Sequence, residues 1–125
     1  MATKQIATSA AVGAKDVVLT FINALNKEDF ETARDCLSDD MIFDGVLGHR
    51  DGADTYINDM KKMKFKYKIK KSFEDENDVC LLYDIDMGGK KPIFTCGWYQ
   101  LKYNKIKSLK VVFDPRPLVD KSDKK

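Results

Sequence analysis

The sequence predicts an α+β domain in which a curved antiparallel sheet packs against helices from the N-terminal half. Three observations carry this. Apolar residues keep helical spacing in three segments up to Met63. The period then switches from 3.6 to 2 in KFKYKIKKSF, where Phe65, Tyr67 and Ile69 alternate with lysines. The stretch from Ile93 to Pro117, IFTCGWYQLKYNKIKSLKVVFDPRP, reads as a long hairpin closed by a Pro-Arg-Pro stop. Helices first and strands after them indicate an α+β class rather than alternating α/β units.

Taken in order, residues 1–11 are small and polar and read as a flexible N-terminus. From Val12, the residues Val17, Val18, Phe21, Ile22 and Leu25 form one broad apolar stripe, which predicts an amphipathic helix. Asn26 breaks that helix and is placed to cap a second, with Asp29 three residues on, near the positive helix end. Phe30, Ala33 and Leu37 mark the buried side of the second helix, which is expected to stop at Ser38-Asp39-Asp40. Two helices joined so tightly make a helical hairpin.

MIFDGVLG then reads as a short strand, with Met41, Phe43 and Leu47 on one face and Ile42, Asp44 and Val46 on the other. A third helix opens at Asp51 and carries Ala53, Tyr56, Ile57, Met60 and Met63 at helical spacing, with Lys61, Lys62 and Lys64 at its C-terminal end. The lysine-alternating strand follows, then a polar turn over Glu74 to Asp78. The answering strand Val79 to Met87 sets Leu82, Asp84 and Asp86 opposite Tyr83, Ile85 and Met87. Gly88-Gly89 makes the next turn. In the final hairpin the turn is placed at Asn104-Lys105. Ile106 and Leu109 break strict alternation, so a bulge or bend is expected near Ser108. Residues 118–125 read as a charged flexible tail, leaving 12–117 as the folded domain.

Composition bounds the function. In 125 residues, 22 basic and 20 acidic side chains leave a net charge of +2, too mild to demand a nucleic-acid or membrane partner. No run approaches the ~18 apolar residues of a membrane span, and the first residues lack the apolar core of a signal peptide. A cytoplasmic location is the expectation. Cys36, Cys80 and Cys96 are odd in number and widely spaced, which suits free thiols in a reducing compartment and suggests neither a zinc site nor a redox pair. No cofactor is implied.

The residues FINALNKEDFETARDCLSDDMIF, GHRDGADTYINDM and the closing hairpin resemble the nuclear transport factor 2-like superfamily in its SnoaL-like branch, over about residues 12–117. The resemblance implies a cone, in which a strongly curved sheet wraps a long helix around an apolar pocket, and it implies a homodimer formed through the sheet. Members include isomerases, cyclases, dehydratases, epoxide hydrolases and transport adaptors, so the fold does not choose an activity. Beside the ketosteroid isomerase branch, Asp44 occupies a position similar to the general-base aspartate. Phe21 falls close to that branch's first-helix tyrosine, and Tyr99 close to its protonated aspartate. One base and one donor hydroxyl then remain of that pattern.

These comparisons and the residue types nominate Asp44 as a general base, with Tyr99 or His49 assisting. A carboxylate in an apolar pocket loses hydration and becomes a usable base near neutral pH. The competing reading is a rim aspartate paired with Arg50 or capping the following turn. His49, the sole histidine, lies between Asp44 and Asp51. It fits an acid–base couple or a structural role in a turn, and a metal site would need further ligands that the sequence does not offer. Phe21, Tyr56, Trp98 and Phe113 are candidates for the lining of a pocket that takes a small apolar molecule. The seven lysines between Lys61 and Lys71 invite a nucleic-acid reading. Strand alternation, however, puts the aromatic rings on the face opposite the lysines, whereas a stacking platform needs both on one surface. A solvated outer face is the expectation, with no nucleic-acid and no membrane partner. Two functions stay open: a pocket for a small hydrophobic metabolite, and an acid–base enzyme using Asp44.

Overall fold

The computed structural model describes residues 13–88 and 91–116. The expected flexible segments 1–11 and 118–125 lie outside the described residues, as do Gly89 and Lys90 of the Gly-Gly turn. The elements run α1 (Ala14–Asn26), α2 (Phe30–Asp35), β1 (Leu37–Asp44), β2 (His49–Asp51), α3 (Ala53–Met63), β3 (Lys66–Asp75), β4 (Asp78–Asp86), β5 (Ile93–Lys102) and β6 (Lys105–Phe113). The six strands form one curved, unclosed sheet in the order β2-β1-β6-β5-β4-β3. The α+β class and the wrapped sheet are as the sequence predicts.

The amphipathic stripe of α1 places Val18, Phe21, Ile22 and Leu25 in the core. There they meet Tyr56, Ile57 and Met60 of α3 and the inward residues of the sheet. Alternation along β4 and β5 is strict: Val79, Leu81, Tyr83 and Ile85 point in, as do Ile93, Thr95, Gly97, Tyr99 and Leu101. The register shifts in three places, between Leu37 and Ile42 of β1 and at bulges in β6 and β3. In β6, Gln100 pairs with Ser108 and Leu101 with Ile106, so Lys107 is the extra residue, beside the predicted Ser108. In β3, Ile69 pairs with Tyr83 and Lys71 with Leu82, so Lys70 is extra. Each extra residue increases the local twist and bends its strand.

Four local expectations are corrected. Asp29, not Asn26, caps α2: its carboxylate accepts from the Thr32 amide at 3.2 Å. Asn26 instead spends its side chain on the backbone of Tyr67, accepting from the amide at 2.7 Å and donating to the carbonyl at 2.9 Å. It thereby satisfies polar groups on edge strand β3. Second, α2 ends at Asp35, and Leu37 already begins β1, because β1 pairs parallel with β6 and the Ile106 amide donates to the Cys36 carbonyl at 2.8 Å. That single parallel pairing makes the sheet mixed. Third, His49–Asp51 is a short edge strand and α3 starts at Ala53; Gly52 turns the chain between them with φ 95°, a conformation that favours glycine. Fourth, the last hairpin turns at Tyr103-Asn104, both with positive φ, which matches strand twist better than a turn one residue later.

Candidate functional site

A cavity of about 210 Å³ opens between α3, the β1–β2 hairpin and the concave face of the sheet. Helical spacing supplies one wall: Tyr56, Met60 and Met63 project from α3 with Asp59 beside them. Phe65 and Tyr67 enter with the start of β3. Tyr83, Ile85 and Met87 come from the inward register of β4, and Leu109, Val111 and Phe113 from β6. The hairpin loop Gly45-Val46-Leu47-Gly48 forms the lip. Leu47 lines the cavity yet is 56% exposed, which marks the entrance. Methionine, aromatic and aliphatic side chains dominate the wall, which is therefore largely apolar.

The floor is a tyrosine layer. The Tyr83 and Tyr99 hydroxyls share a buried hydrogen bond of 2.6 Å. Tyr67 stands edge-on to Tyr83 with ring centroids 5.3 Å apart, and its hydroxyl donates to the Met60 sulfur at 3.7 Å. Burial pushes the phenols of Tyr56, Tyr67, Tyr83 and Tyr99 well above their ordinary range. They are therefore neutral hydroxyls at any physiological pH and cannot act as bases.

The parity of β1 and β2 decides which charged residues reach the cavity. Phe43 pairs with Arg50, and both line the cavity. Asp44 pairs with His49 and Ile42 with Asp51, one residue out of phase, so these side chains stand on the other face. Asp44 is 48% exposed and accepts from His49 Nδ1 at 2.5 Å, while His49 Nε2 donates to Asp51 at 2.8 Å. A carboxylate on each ring nitrogen, first Asp44 and then Asp51, favours the protonated form of His49 and raises its pKa. Arg50 reaches the cavity mouth, where Nε donates to Asp59 at 2.7 Å and Nη1 to the His49 carbonyl at 2.9 Å.

The sequence-nominated residues thus occupy four places. Tyr56 and Phe113 line the cavity. Phe21 and Tyr99 lie one layer behind it, Phe21 stacked on Tyr56 at 6.4 Å and edge-on to Tyr99 at 6.3 Å. Asp44 and His49 form an exposed pair outside it. Trp98 stands on the convex face of the sheet, donating from Nε1 to Asp78 at 3.0 Å, because β5 alternation points its neighbours Gly97 and Tyr99 inward. Arg50 and Asp59 are the charged residues that sequence reading did not nominate for the cavity. Placing Asp59 beside Tyr56 and Met60 on one helix face would have brought in Asp59. The parity of β2 could not be read, since that strand was not foreseen. Among the described residues no cluster of three or more histidine, cysteine or acidic side chains is arranged to hold a metal, and no helix is long and apolar enough to cross a membrane.

A family model described as a SnoaL-like domain matches residues 18–109, from the middle of α1 to the middle of β6, and so takes in both sides of the cavity. The chain belongs to the SnoaL-like family. Among solved structures, this SnoaL-like protein is similar to an NTF2-like protein of unknown function from Cytophaga hutchinsonii. The two share 51% identity over 87% of this chain and 96% of that one, with a TM-score of 0.84. It is also similar to an LEH-like epoxide hydrolase of M. tuberculosis, at 25% identity over 81% of this chain and 82% of that one, TM-score 0.73. A de novo designed protein with a curved β-sheet shares the fold at 19% identity, covering 82% of this chain and 86% of that one, TM-score 0.72. No curated protein matches this SnoaL-like sequence.

Proposed function

We propose that this protein binds a small, largely apolar molecule in the cavity between α3 and the sheet, and does so without acid–base turnover. The observation that carries this reading is the mismatch between the cavity and the candidate base. The wall is built from methionine, aromatic and aliphatic side chains, and its one carboxylate, Asp59, is engaged by Arg50. Asp44 is half exposed on the other side of β1 and engaged by His49. A general base must lie within hydrogen-bond reach of the proton it takes. The alternative, an acid–base enzyme using Asp44 with Tyr99 or His49, has less support. The Tyr99 hydroxyl is buried against that of Tyr83 one layer behind the cavity, and His49 lies outside it, bonded through both ring nitrogens to Asp44 and Asp51.

A thermal-shift screen of small apolar molecules tests the proposal. A ligand at a hundredfold excess over its Kd stabilises by about 2.7 kcal/mol, a rise in Tm of roughly 10 °C for a domain of this size. Met63→Trp, which adds bulk at the cavity wall near the mouth, should remove the shift while the unliganded Tm changes little. Shifts that survive in Met63→Trp would place binding elsewhere. An activity abolished by Asp44→Asn would restore the enzyme reading.

A further inference from the structure

We infer that the ion pair Arg50–Asp59 makes the cavity selective for uncharged amphiphiles over fatty-acid-like anions. This deepens the apolar-ligand reading above and rests on it. Both residues line the cavity, and together they are its charged members. Their charges sum to zero within one hydrogen bond, Nε to Oδ2 at 2.7 Å. Arg50 spends a second donor on the His49 carbonyl, which fixes the guanidinium plane against the end of β2. Among the described residues, Arg50 Nη2 and Asp59 Oδ1 make no hydrogen bond to the protein. The pair therefore keeps unused N–H donors on Arg50 and an unused acceptor on Asp59, the complement of a hydroxyl, which can accept from the first and donate to the second.

A carboxylate fares differently. On entering it leaves water for an apolar wall, a desolvation that only an uncompensated cation could offset. Here Asp59 already neutralises Arg50 and lies close enough to repel a second anion. Arg50 thus selects the head group through its partner, and Asp59 is the determinant of specificity.

Size sets the tail. An apolar cavity of roughly 150 Å³ accommodates benzene, so about 210 Å³ with an open mouth suits a molecule of eight to ten heavy atoms. Octan-1-ol and octanoate share one chain of that length and differ in head-group charge.

Isothermal titration of both into the native protein at pH 7.5 should give a Kd for octan-1-ol about tenfold lower than for octanoate. Asp59→Asn, of the same shape, leaves Arg50 as an unpaired cation and should reverse the order. Arg50→Met, which leaves Asp59 as an unpaired anion, should weaken octanoate further and keep octan-1-ol binding measurable. Equal affinities in the native protein, or a ratio unmoved in both variants, would overturn the selectivity while leaving the apolar-ligand reading intact. Binding of neither molecule to the native protein would remove both.

Discussion

The hydroxyl of Tyr83 sits 2.6 Å from that of Tyr99, in a space that exists because residue 97 has no side chain. A Cβ at Gly97 would lie 2.3 Å from the Tyr83 hydroxyl oxygen and 2.9 Å from the Tyr99 ring. The tyrosine layer under the cavity therefore depends on one glycine in the middle of β5. Gly97→Ala should destabilise the fold by about 1–3 kcal/mol through overpacking. Tyr83→Phe and Tyr99→Phe should each cost about 1–3 kcal/mol, because the surviving hydroxyl is left buried without its partner. The double variant should cost less than the sum of the two. Chemical denaturation checks all four, and additive costs would show that the two hydroxyls are independent.

Asn26 joins the end of α1 to edge strand β3 through two hydrogen bonds to Tyr67. Asn26→Ala removes both and should cost about 1–3 kcal/mol at this half-buried site. Asn26→Asp keeps the acceptor for the amide but turns an oxygen towards the Tyr67 carbonyl, so it should not restore stability. Hydrogen exchange at the Tyr67 amide should accelerate in Asn26→Ala, which removes its acceptor. Unchanged protection would mean that the edge is held by other contacts.

His49 makes the β1–β2 hairpin sensitive to pH. Its pKa is raised in the folded state by Asp44 and then by Asp51. A raised folded pKa contributes stability that is fully present below the unfolded value of about 6.5 and is lost as pH rises through the folded value. The Tm difference between the native protein and His49→Ala should therefore be largest below about pH 6.5 and shrink above the folded pKa. An NMR titration of the imidazole should place its midpoint above about 6.5, falling back in Asp44→Asn. A midpoint at or below the ordinary value would refute the clamp.

The convex face of the sheet exposes Phe73, Phe94, Trp98 and Val112, a cluster that a monomer seldom leaves uncovered. Asp75 and Asp78 border a groove there, with Lys110 on its other side, so a two-fold axis would set acid against base. We propose that a second copy covers this face. Light scattering at micromolar concentration should give about twice 14.3 kDa, and Trp98→Glu should return the monomer. A monomeric native protein would refute this.

Much of the fold was legible from residue patterns alone. The stripe Val18, Phe21, Ile22 and Leu25, the alternation of Tyr67 and Ile69 with lysines, and the break between Ile106 and Leu109 each express a backbone period that chain geometry imposes locally. Local geometry is carried in nearby residues, so helix, strand and bulge could be placed, and with them the class. Tyr56 and Phe113, put forward for ligand binding, are among the residues that line the cavity.

What the patterns could not carry depended on partners distant in sequence. Leu37 is strand rather than helix because β6 offers it hydrogen bonds some 70 residues away along the chain. His49 drew attention as the sole histidine, yet the two-residue period of an edge strand turned it outwards and its neighbour Arg50 towards the cavity. A one-residue phase in a strand exchanges every side chain between faces, and that phase is set by pairing with β1, not by the three residues themselves. Composition and periodicity determined that this chain would build a curved sheet around apolar helices. Tertiary pairing alone decided that Asp44 would stand outside the cavity and that Arg50 and Asp59 would meet at its mouth.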